Sequence, residues 1–354
     1  MNHPDSQTSP PLVSVVVVNY NCKKWLDRFF PSLRAQTIFN QVEIIMVDNT
    51  SQDGSAEICQ KEMAAWPNGV FLQTGSNYGF GGGCNRGAAV ARGKYLFFLN
   101  PDLWLEPACL EDLVSSAGQS GAKIGCPRVF DYDSDVVQTE GGEGFDIFMC
   151  GVTPRAGENS PERFGVGTFY FIERDLFQRL GGFDEEFFIF AEELDLSWRA
   201  WLAGENVTMF YSARLHHQGA SGGDRAVENR TNETKRFYAN RNQLLAQLKN
   251  SRDWLLLLVF TQMALLMAEA IMGALLARRW SFIKWALLKP LADCWRLRSH
   301  VAAERRRING LRRRSDWWML KRFLRFRFGR WVDVKRLLQF GVVIDKAWAT
   351  KAKK

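Results

Sequence analysis

The sequence predicts an α/β fold: a doubly wound, mixed but mostly parallel sheet, followed by a helical, basic C-terminal region. Three observations carry that prediction. The β-branched runs Val13–Val18 and Val42–Val47 have the near-continuous hydrophobicity of strands buried on both faces. Amphipathic or small-residue stretches alternate with such runs, as a sheet with helices on both sides requires. Charge also changes sign along the chain. Of 46 Lys/Arg and 38 Asp/Glu, 23 and 5 fall between Ile271 and Lys354, so that segment carries +18 and residues 1–270 carry −10. The acidic part reads as a soluble domain and the basic part as a region that meets polyanions.

Composition bounds the rest. With 354 residues, 46% hydrophobic and 13% aromatic, the chain is long enough for one large α/β domain with an appendage, or for two domains, and too apolar for disorder. Seven scattered cysteines without a Cys-x-x-Cys pair argue against a zinc site or a disulfide framework and suit a reducing cytoplasm. Residues 1–11 are polar, contain Pro10-Pro11, and lack a basic start followed by an apolar run. They are expected to be disordered rather than a signal peptide.

The elements follow in order. After the first strand, Lys23–Gln36 is amphipathic but interrupted by Pro31. The second strand ends in Asp48-Asn49, and Asp53 or Ser55 caps a helix to Trp66. Val70–Gln73 is a short strand, Ala88 lies in a small-residue helix, and Tyr95–Leu99 is a strand ending in Asn100-Pro101-Asp102. Residues 131–163, rich in Gly, Asp and Glu, predict an irregular loop. A strand from Gly165 to Phe171 leads into Glu173–Leu180. Val207–Tyr211 is the last strand, running on to Leu215-His216-His217. Doubly wound sheets bind ligands at the carboxyl ends of their strands. Three polar clusters fall there: Asn19/Asn21, Asp48/Asn49 and Asn100/Asp102.

The segment Glu192-Glu193-Leu194-Asp195 crowds three carboxylates into four positions. In a helix, Glu192 and Asp195 share a face while Glu193 projects elsewhere. Such crowding is costly unless cations offset it or one member holds a proton. A catalytic base is one reason to keep it; a solvated helix start favoured by the helix dipole is the other.

Seven motifs in order resemble the glycosyltransferase family 2 group with the GT-A fold, most closely its bacterial rhamnosyltransferase-like branch. They are VVVVNYN (Val15–Asn21), VDNTSQDGS (Val47–Ser55), NYGFGGGCNRG (Asn77–Gly87), FLNPD (Phe98–Asp102), GGFDEEFF (Gly181–Phe188), EELDLSWR (Glu192–Arg199) and HHQGAS (His216–Ser221). The resemblance implies an inverting transfer from a nucleotide-diphosphate sugar. Among its implied residues, Asp48 receives the pyrimidine N–H, and Asn19, Asn21, Asn77, Gly82, Asn85, Asn100 and Arg199 lie on the donor side. Asp102, with His216 and His217 as its understudy, would hold Mg2+ or Mn2+, which neutralises the departing diphosphate. Asn100 stands where the family usually has a first Asp, which predicts weaker metal binding. Glu193 occupies the general-base position, where relatives have Asp; its extra methylene moves the carboxylate by about 1.5 Å. Glu192 or Asp195 would orient the base or hold Arg199, and Trp198 would pack or stack on the acceptor. Arg241 and Asn242 match the family's Arg-Asn position and suggest an acceptor side with Tyr238. By branch, the donor is dTDP-rhamnose, and inversion at its β-L-rhamnosyl centre gives an α-L-rhamnoside.

Trp254–Ala277 is almost wholly apolar and close to the length that spans a bilayer. A single crossing would separate a cytoplasmic catalytic domain from a tail that the positive-inside rule also keeps in the cytoplasm. Helices lying in the inner leaflet avoid that conflict, and the Trp, Phe and Arg residues interleaved over 278–340, Phe328 and Trp331 among them, suit an interface with anionic lipids. The expected organisation is therefore a GT-A domain over 12–250 and a membrane-associated helical region over 251–354, at the cytoplasmic face of the inner membrane. Its partners would be the sugar donor, a polyprenyl-diphosphate-linked acceptor and anionic lipids. Two alternatives remain: a polyprenyl-phosphate sugar synthase, whose acceptor needs no base, and a non-enzymatic nucleic-acid binder using the basic tail. The leading reading includes no nucleic acid.

Overall fold

The computed structural model describes residues 10–152, 161–165, 169–218, 230–231, 233–277, 280–327 and 343–344. Residues 1–9, most of 153–168, Gly219–Ser221 of the last motif, and the tail aromatics Phe328 and Trp331 lie outside the described residues.

The hydrophobic runs become strands β1 (Val13–Asn19), β2 (Val42–Asp48), β3 (Gly69–Gln73) and β4 (Tyr95–Leu99). All four are parallel, and every residue of β1 and β2 is buried. Helices α1 (Leu26–Arg34), α2 (Ser55–Ala65) and α3 (Gly79–Val90) join them. The full sheet adds β5 (Leu103–Leu105), β6 (Ile124–Asp131), β7 (Val137–Thr139), β10 (Tyr170–Glu173) and β11 (Val207–His217). The order is β3-β2-β1-β4-β10-β6-β11-β5, with β7 beside β6. Strand β10 runs antiparallel between β4 and β6, and β5 antiparallel along β11. The sheet is therefore mixed and mostly parallel, as expected. A small hairpin-like pair, β8 (Gly144–Phe145) and β9 (Gly151–Val152), gives part of the expected loop over 131–163 regular structure.

Alternation along the strands divides two cores between the sheet faces. Val13, Val15, Val17 and Phe97 pack with α1, α2 and α4 (Cys109–Ser120). Val16, Val18, Leu96 and Phe98 pack with α5 (Arg174–Leu180) and α6 (Glu192–Leu202).

The C-terminal helices are α7 (Glu233–Asn250), α8 (Trp254–Ala277), α9 (Lys289–Arg296), α10 (Arg298–Leu311) and α11 (Asp316–Phe323). A π-turn at Lys284–Leu288 precedes α9, a wide turn that accommodates Pro290, which has no N–H to give. The expected division at residue 250 is not a division of packing. Leu255, Ile308, Met319 and Phe323 join the sheet's second core, beside Phe164 and Trp201. Phe187 in turn sits in a core with Leu244, Leu266, Leu287 and Leu297.

Candidate active site

Register brings the three polar clusters to one edge. Asn19 is the partner of Asp48, and Val17 of Leu99, one residue before Asn100. The Asn19 side chain donates to Asp48 Oδ1 at 2.8 Å, Ser55 Oγ at 2.9 Å and Ser51 Oγ at 3.1 Å. Asp48 Oδ2 accepts the backbone N–H groups of Thr50 and Ser51, both at 3.0 Å. Asn19 and Asp48 are fully enclosed, so they shape the loop after β2 and present no open acceptor to a base. Asn49 is likewise enclosed, and its amide donates to the Gly79 carbonyl. Asn21, in the left-handed region at φ 55°, accepts from the Gln52 N–H and lines a shallow cleft with Lys23, Lys24, Asp27 and Asp53.

The glycines of α3 serve packing more than ligand approach. Gly79 has φ +71°, and a Cβ there would stand 1.9 Å from the Phe188 carbonyl oxygen. At Gly82 a Cβ would meet Tyr78 at 2.7 Å, where Arg86 stacks on Tyr78 and pairs with Glu185. Asn77 accepts from the Gly79 N–H, and Asn85 pairs with the Phe183 backbone in both directions. Asn77 and Asn85 thus stabilise turns, one of the two roles open to them, while Gly82 packs inside α3 against Tyr78.

The expected pairing of Asp102 with His216 is replaced by one with His217, whose Nε2 lies 3.5 Å from Asp102 Oδ1. The reason is strand alternation. His216 stacks on Trp104 at 3.9 Å, with Nε2 3.1 Å from Glu106, while His217 points the other way against Phe169. Asn100 donates to Asp102, and its own Oδ1 is buried without a partner. A carboxylate, an orphaned amide oxygen and an imidazole fit a divalent cation. A second group of potential ligands, Glu106, Asp135 and His216, has its ligand atoms within 4.8 Å of one another. Arg214 already pairs with both carboxylates there, at 2.9 and 3.1 Å.

The carboxylate segment opens α6 and splits in two. Asp195 is fully buried and pairs with Arg199 at 2.9 Å and Lys249 at 3.2 Å. Arg199, also buried, donates to the Leu180 carbonyl. Asp195 thus holds Arg199, one of the two roles expected of it, and the two form a core ion pair. Trp198 is buried beside Phe145 and Phe164. Glu192 and Glu193 face α3 near Cys84. Glu192 is 3% exposed and its Oε2 has no partner. Burial, with the neighbouring Glu193 charge, pushes its carboxyl well above the usual range. Burial pushes Glu193 up to about 7, yet it keeps partial solvent access. Both carboxyls of the pair are therefore held above the ordinary range, Glu193 at about 7.

The approach to this pair is a strained loop. Phe188 (φ 61°, ψ −57°) is the centre of a γ-turn closed by Ile189 N–H to Phe187 O at 2.7 Å. Phe190 and Ala191 are also left-handed, at 71° and 67°. Non-glycine residues in such regions cost of order 1–3 kcal/mol each and persist only where surroundings over-determine them. The surroundings here come from α7. Asn242 Nδ2 donates to the carbonyls of Phe187, Ile189 and Phe190, at 2.9, 2.7 and 2.7 Å. Arg241 donates to the Glu186 and Phe187 carbonyls and pairs with Asp293 of α9 at 2.9 Å. Phe188 stacks on Tyr238. Lys249 bridges Asp184 and Asp195, and His300 of α10 holds Asp184 at 2.8 Å. Sequence reasoning placed Arg241 and Asn242 beside the acceptor and missed Lys249 and His300. The available signal was the run of Asn, Arg, Gln and Lys on α7 directly ahead of an apolar helix.

Comparison with known proteins agrees with this architecture. Residues 14–181 match the model of Glycosyl transferase family 2. The putative glycosyltransferase EpsH of Bacillus subtilis is 33% identical over 136 residues, 36% of this chain, which spans 39% of that protein's length. The N-acetylglucosaminyl-diphospho-decaprenol L-rhamnosyltransferase of Mycobacterium tuberculosis is 27% identical over 245 residues, covering 60% of this chain and 78% of that protein. Among solved structures, S. aureus TarS 1–349 in complex with UDP superposes with a TM-score of 0.53 at 15% identity, over 84% of this chain and 88% of that one. GalNAc-T7 with UDP, GalNAc and Mn2+ gives 0.56 at 19%, over 70% of this chain and 49% of that one. The structural likenesses establish the GT-A-like fold, and the segment that carries its first strands and helices, residues 14–181, is similar to glycosyl transferase family 2.

Proposed function

We propose that the protein is an inverting, metal-assisted rhamnosyltransferase that moves L-rhamnose from dTDP-rhamnose to a lipid-diphosphate-linked saccharide during cell-surface polysaccharide synthesis. The carrying observation is the Glu192–Glu193 pair. Glu193 has partial solvent access and a carboxyl raised to about 7 by burial, which suits a general base working near neutral pH. In the transfer, an acceptor hydroxyl oxygen bonds to the anomeric carbon while Glu193 takes its proton. The bond from that carbon to the diphosphate oxygen breaks, and the diphosphate leaves with the electron pair. Burial and the Glu193 charge both disfavour ionisation of the adjacent Glu192. Asp102, Asn100 and His217 would hold Mg2+ or Mn2+, which when bound supplies charge neutralisation for the diphosphate. The choice of rhamnose and of a lipid-linked acceptor is supported by the mycobacterial relative, whose name gives both. Location at the cytoplasmic face of the inner membrane is supported by the apolar α8 and the basic residues that follow it.

The test is a panel of nucleotide sugars incubated with a polyprenyl-diphosphate-linked acceptor, with and without Mg2+ or Mn2+. Consumption of dTDP-rhamnose in preference to UDP sugars, dependent on acceptor, is the expected result. No turnover with any donor overturns the reading. Transfer to polyprenyl phosphate retained in Glu193→Gln would instead identify a polyprenyl-phosphate sugar synthase.

A further inference from the structure

Helix α8 is the one candidate membrane span among the described residues, but its two sides have different fates. Leu255, Gln262, Leu266, Ala270 and Ala274 are buried against the protein. The opposite stripe, Trp254, Leu257, Phe260, Met267, Ile271 and Leu275, is 65, 52, 71, 51, 46 and 60% exposed. The helix's single charge, Glu269, is off that stripe and pairs with Arg236 of α7. An exposed apolar stripe along the whole length of a helix marks a contact surface. It cannot be the lipid face of a span. The buried side of α8 packs on α7, which carries the buried Asn240, Arg241, Gln247, Lys249 and Asn250. Sinking α8 across hydrocarbon would take those groups, and the catalytic loop they hold, with it.

We propose that α8 lies flat in the headgroup–acyl boundary of an anionic bilayer, its Trp254–Leu275 stripe inserted and its axis in the membrane plane. This deepens, and rests on, the membrane-face location proposed above. Charge selects lipid over the other occupants. Residues 278–327 contain sixteen Lys/Arg against three Asp/Glu, with Lys284, Arg296, Arg298 and Arg306 exposed. Two copies meeting through the stripe would bring two such basic flanks together. An anionic surface is instead attracted by them, each adding to binding. Trp280 and Trp295, both 72% exposed, supply the aromatic rims typical of an interface. The seat also has a mechanical link to the site. Trp285 packs on Phe237 of α7, and the adjoining Tyr238 stacks on Phe188 of the strained loop. A lipid-borne acceptor at headgroup level would thus meet the Phe187–Ala191 loop from the side of α7.

The experiment needs neither donor nor acceptor, so its failure is separable from failure of the transferase reading. The full chain is sedimented with phosphatidylglycerol-containing or pure phosphatidylcholine vesicles. Environment-sensitive probes at Leu257→Cys, Met267→Cys and Leu275→Cys report depth. Binding to the anionic vesicles, all three probes at one shallow depth, and a partition coefficient about tenfold lower or less in Phe260→Glu/Ile271→Glu are expected. Unchanged thermal unfolding of that variant confirms its fold. Graded probe depths across the bilayer, no vesicle binding, or concentration-dependent self-association abolished by the same substitutions would each overturn the proposal.

Discussion

The side-chain amide of Asn242 lies 2.7 Å from the carbonyl oxygen of Phe190, two residues before Glu192. With its bonds to Phe187 and Ile189, one amide ties down three carbonyls of the loop that leads into the carboxylate pair. Buried hydrogen bonds contribute about 1 kcal/mol net, but carbonyls stranded by their loss cost more. Asn242→Ala is therefore expected to lower kcat by about tenfold to a hundredfold, as a misplaced base does, with the donor KM little changed. Asn242→Asp removes the donor and faces an anion toward three carbonyls, so it should be worse than alanine. Steady-state kinetics of both variants check this ordering.

As the proposed base, Glu193 should make the rate depend on pH near neutrality. With its carboxyl raised to about 7, the ionised base accumulates as pH rises through that value, and kcat should climb and level off above it. Glu193→Gln should lose about 10²–10⁴ in rate. Stability moves the other way. The folded state holds this proton above the ordinary carboxylate range, so between about pH 4.5 and 7 it binds more protons than the unfolded chain. Stability contributed below that window is lost as pH rises through it. Thermal unfolding of Glu193→Gln should exceed wild type at pH 8, and the gap should close at pH 5.

Much of this was legible in the sequence. β1, β2 and β4 follow from β-branched and aromatic runs whose hydrophobicity exceeds what one buried face needs, and the helix at Trp254 from sheer apolar length. The site was legible as a set of strand ends, because polar residues after buried strands have one place to go. The direction of each side chain was not. Asp48 turned inward because Thr50 and Ser51 offered it backbone N–H groups, a choice of turn geometry rather than of residue type. Asp195 and Arg199 read as site residues because charged groups are seldom buried, and besides their own pairing it is the distant Lys249 and Asn250 that make that burial tolerable. Contacts of such sequence separation leave no local pattern.

The two histidines at the end of β11 separate experimentally. His217 faces Asp102, while His216 is stacked on Trp104 and paired with Glu106. His217→Ala should raise the Mn2+ concentration needed for half-maximal activity about tenfold or more, as loss of a ligand or its close neighbour does. His216→Ala should leave that requirement unchanged and lower stability through lost packing. Asp102→Ala should abolish the metal response. Metal titrations of activity, with Mn2+ binding followed independently by calorimetry, distinguish the three.

Lys249 is the cation on which α6, α7 and the turn before the loop converge. Its ammonium is fully buried between Asp184 and Asp195. Burial by itself would raise both carboxyls. The His300 hydrogen bond and the Lys249 charge hold Asp184 below its ordinary range, and Lys249 with Arg199 does the same for Asp195. Lys249→Met leaves two carboxylates partly uncompensated, which costs about 3–5 kcal/mol when one partner of a buried pair is removed. The acid groups' depressed values mean that their contribution is present above about pH 4 and is lost as pH falls through the folded-state values. The wild-type advantage in unfolding temperature should thus be largest near pH 7 and shrink on acidification. If the cost is electrostatic, Asp184→Asn in the Lys249→Met background should recover about 1–3 kcal/mol of coupling, although Asp184→Asn alone destabilises. Strictly additive losses in that double-mutant cycle would show that Lys249 acts through packing, and that the carboxylate pair of α6 is held in place by the loop contacts of Arg241 and Asn242 alone.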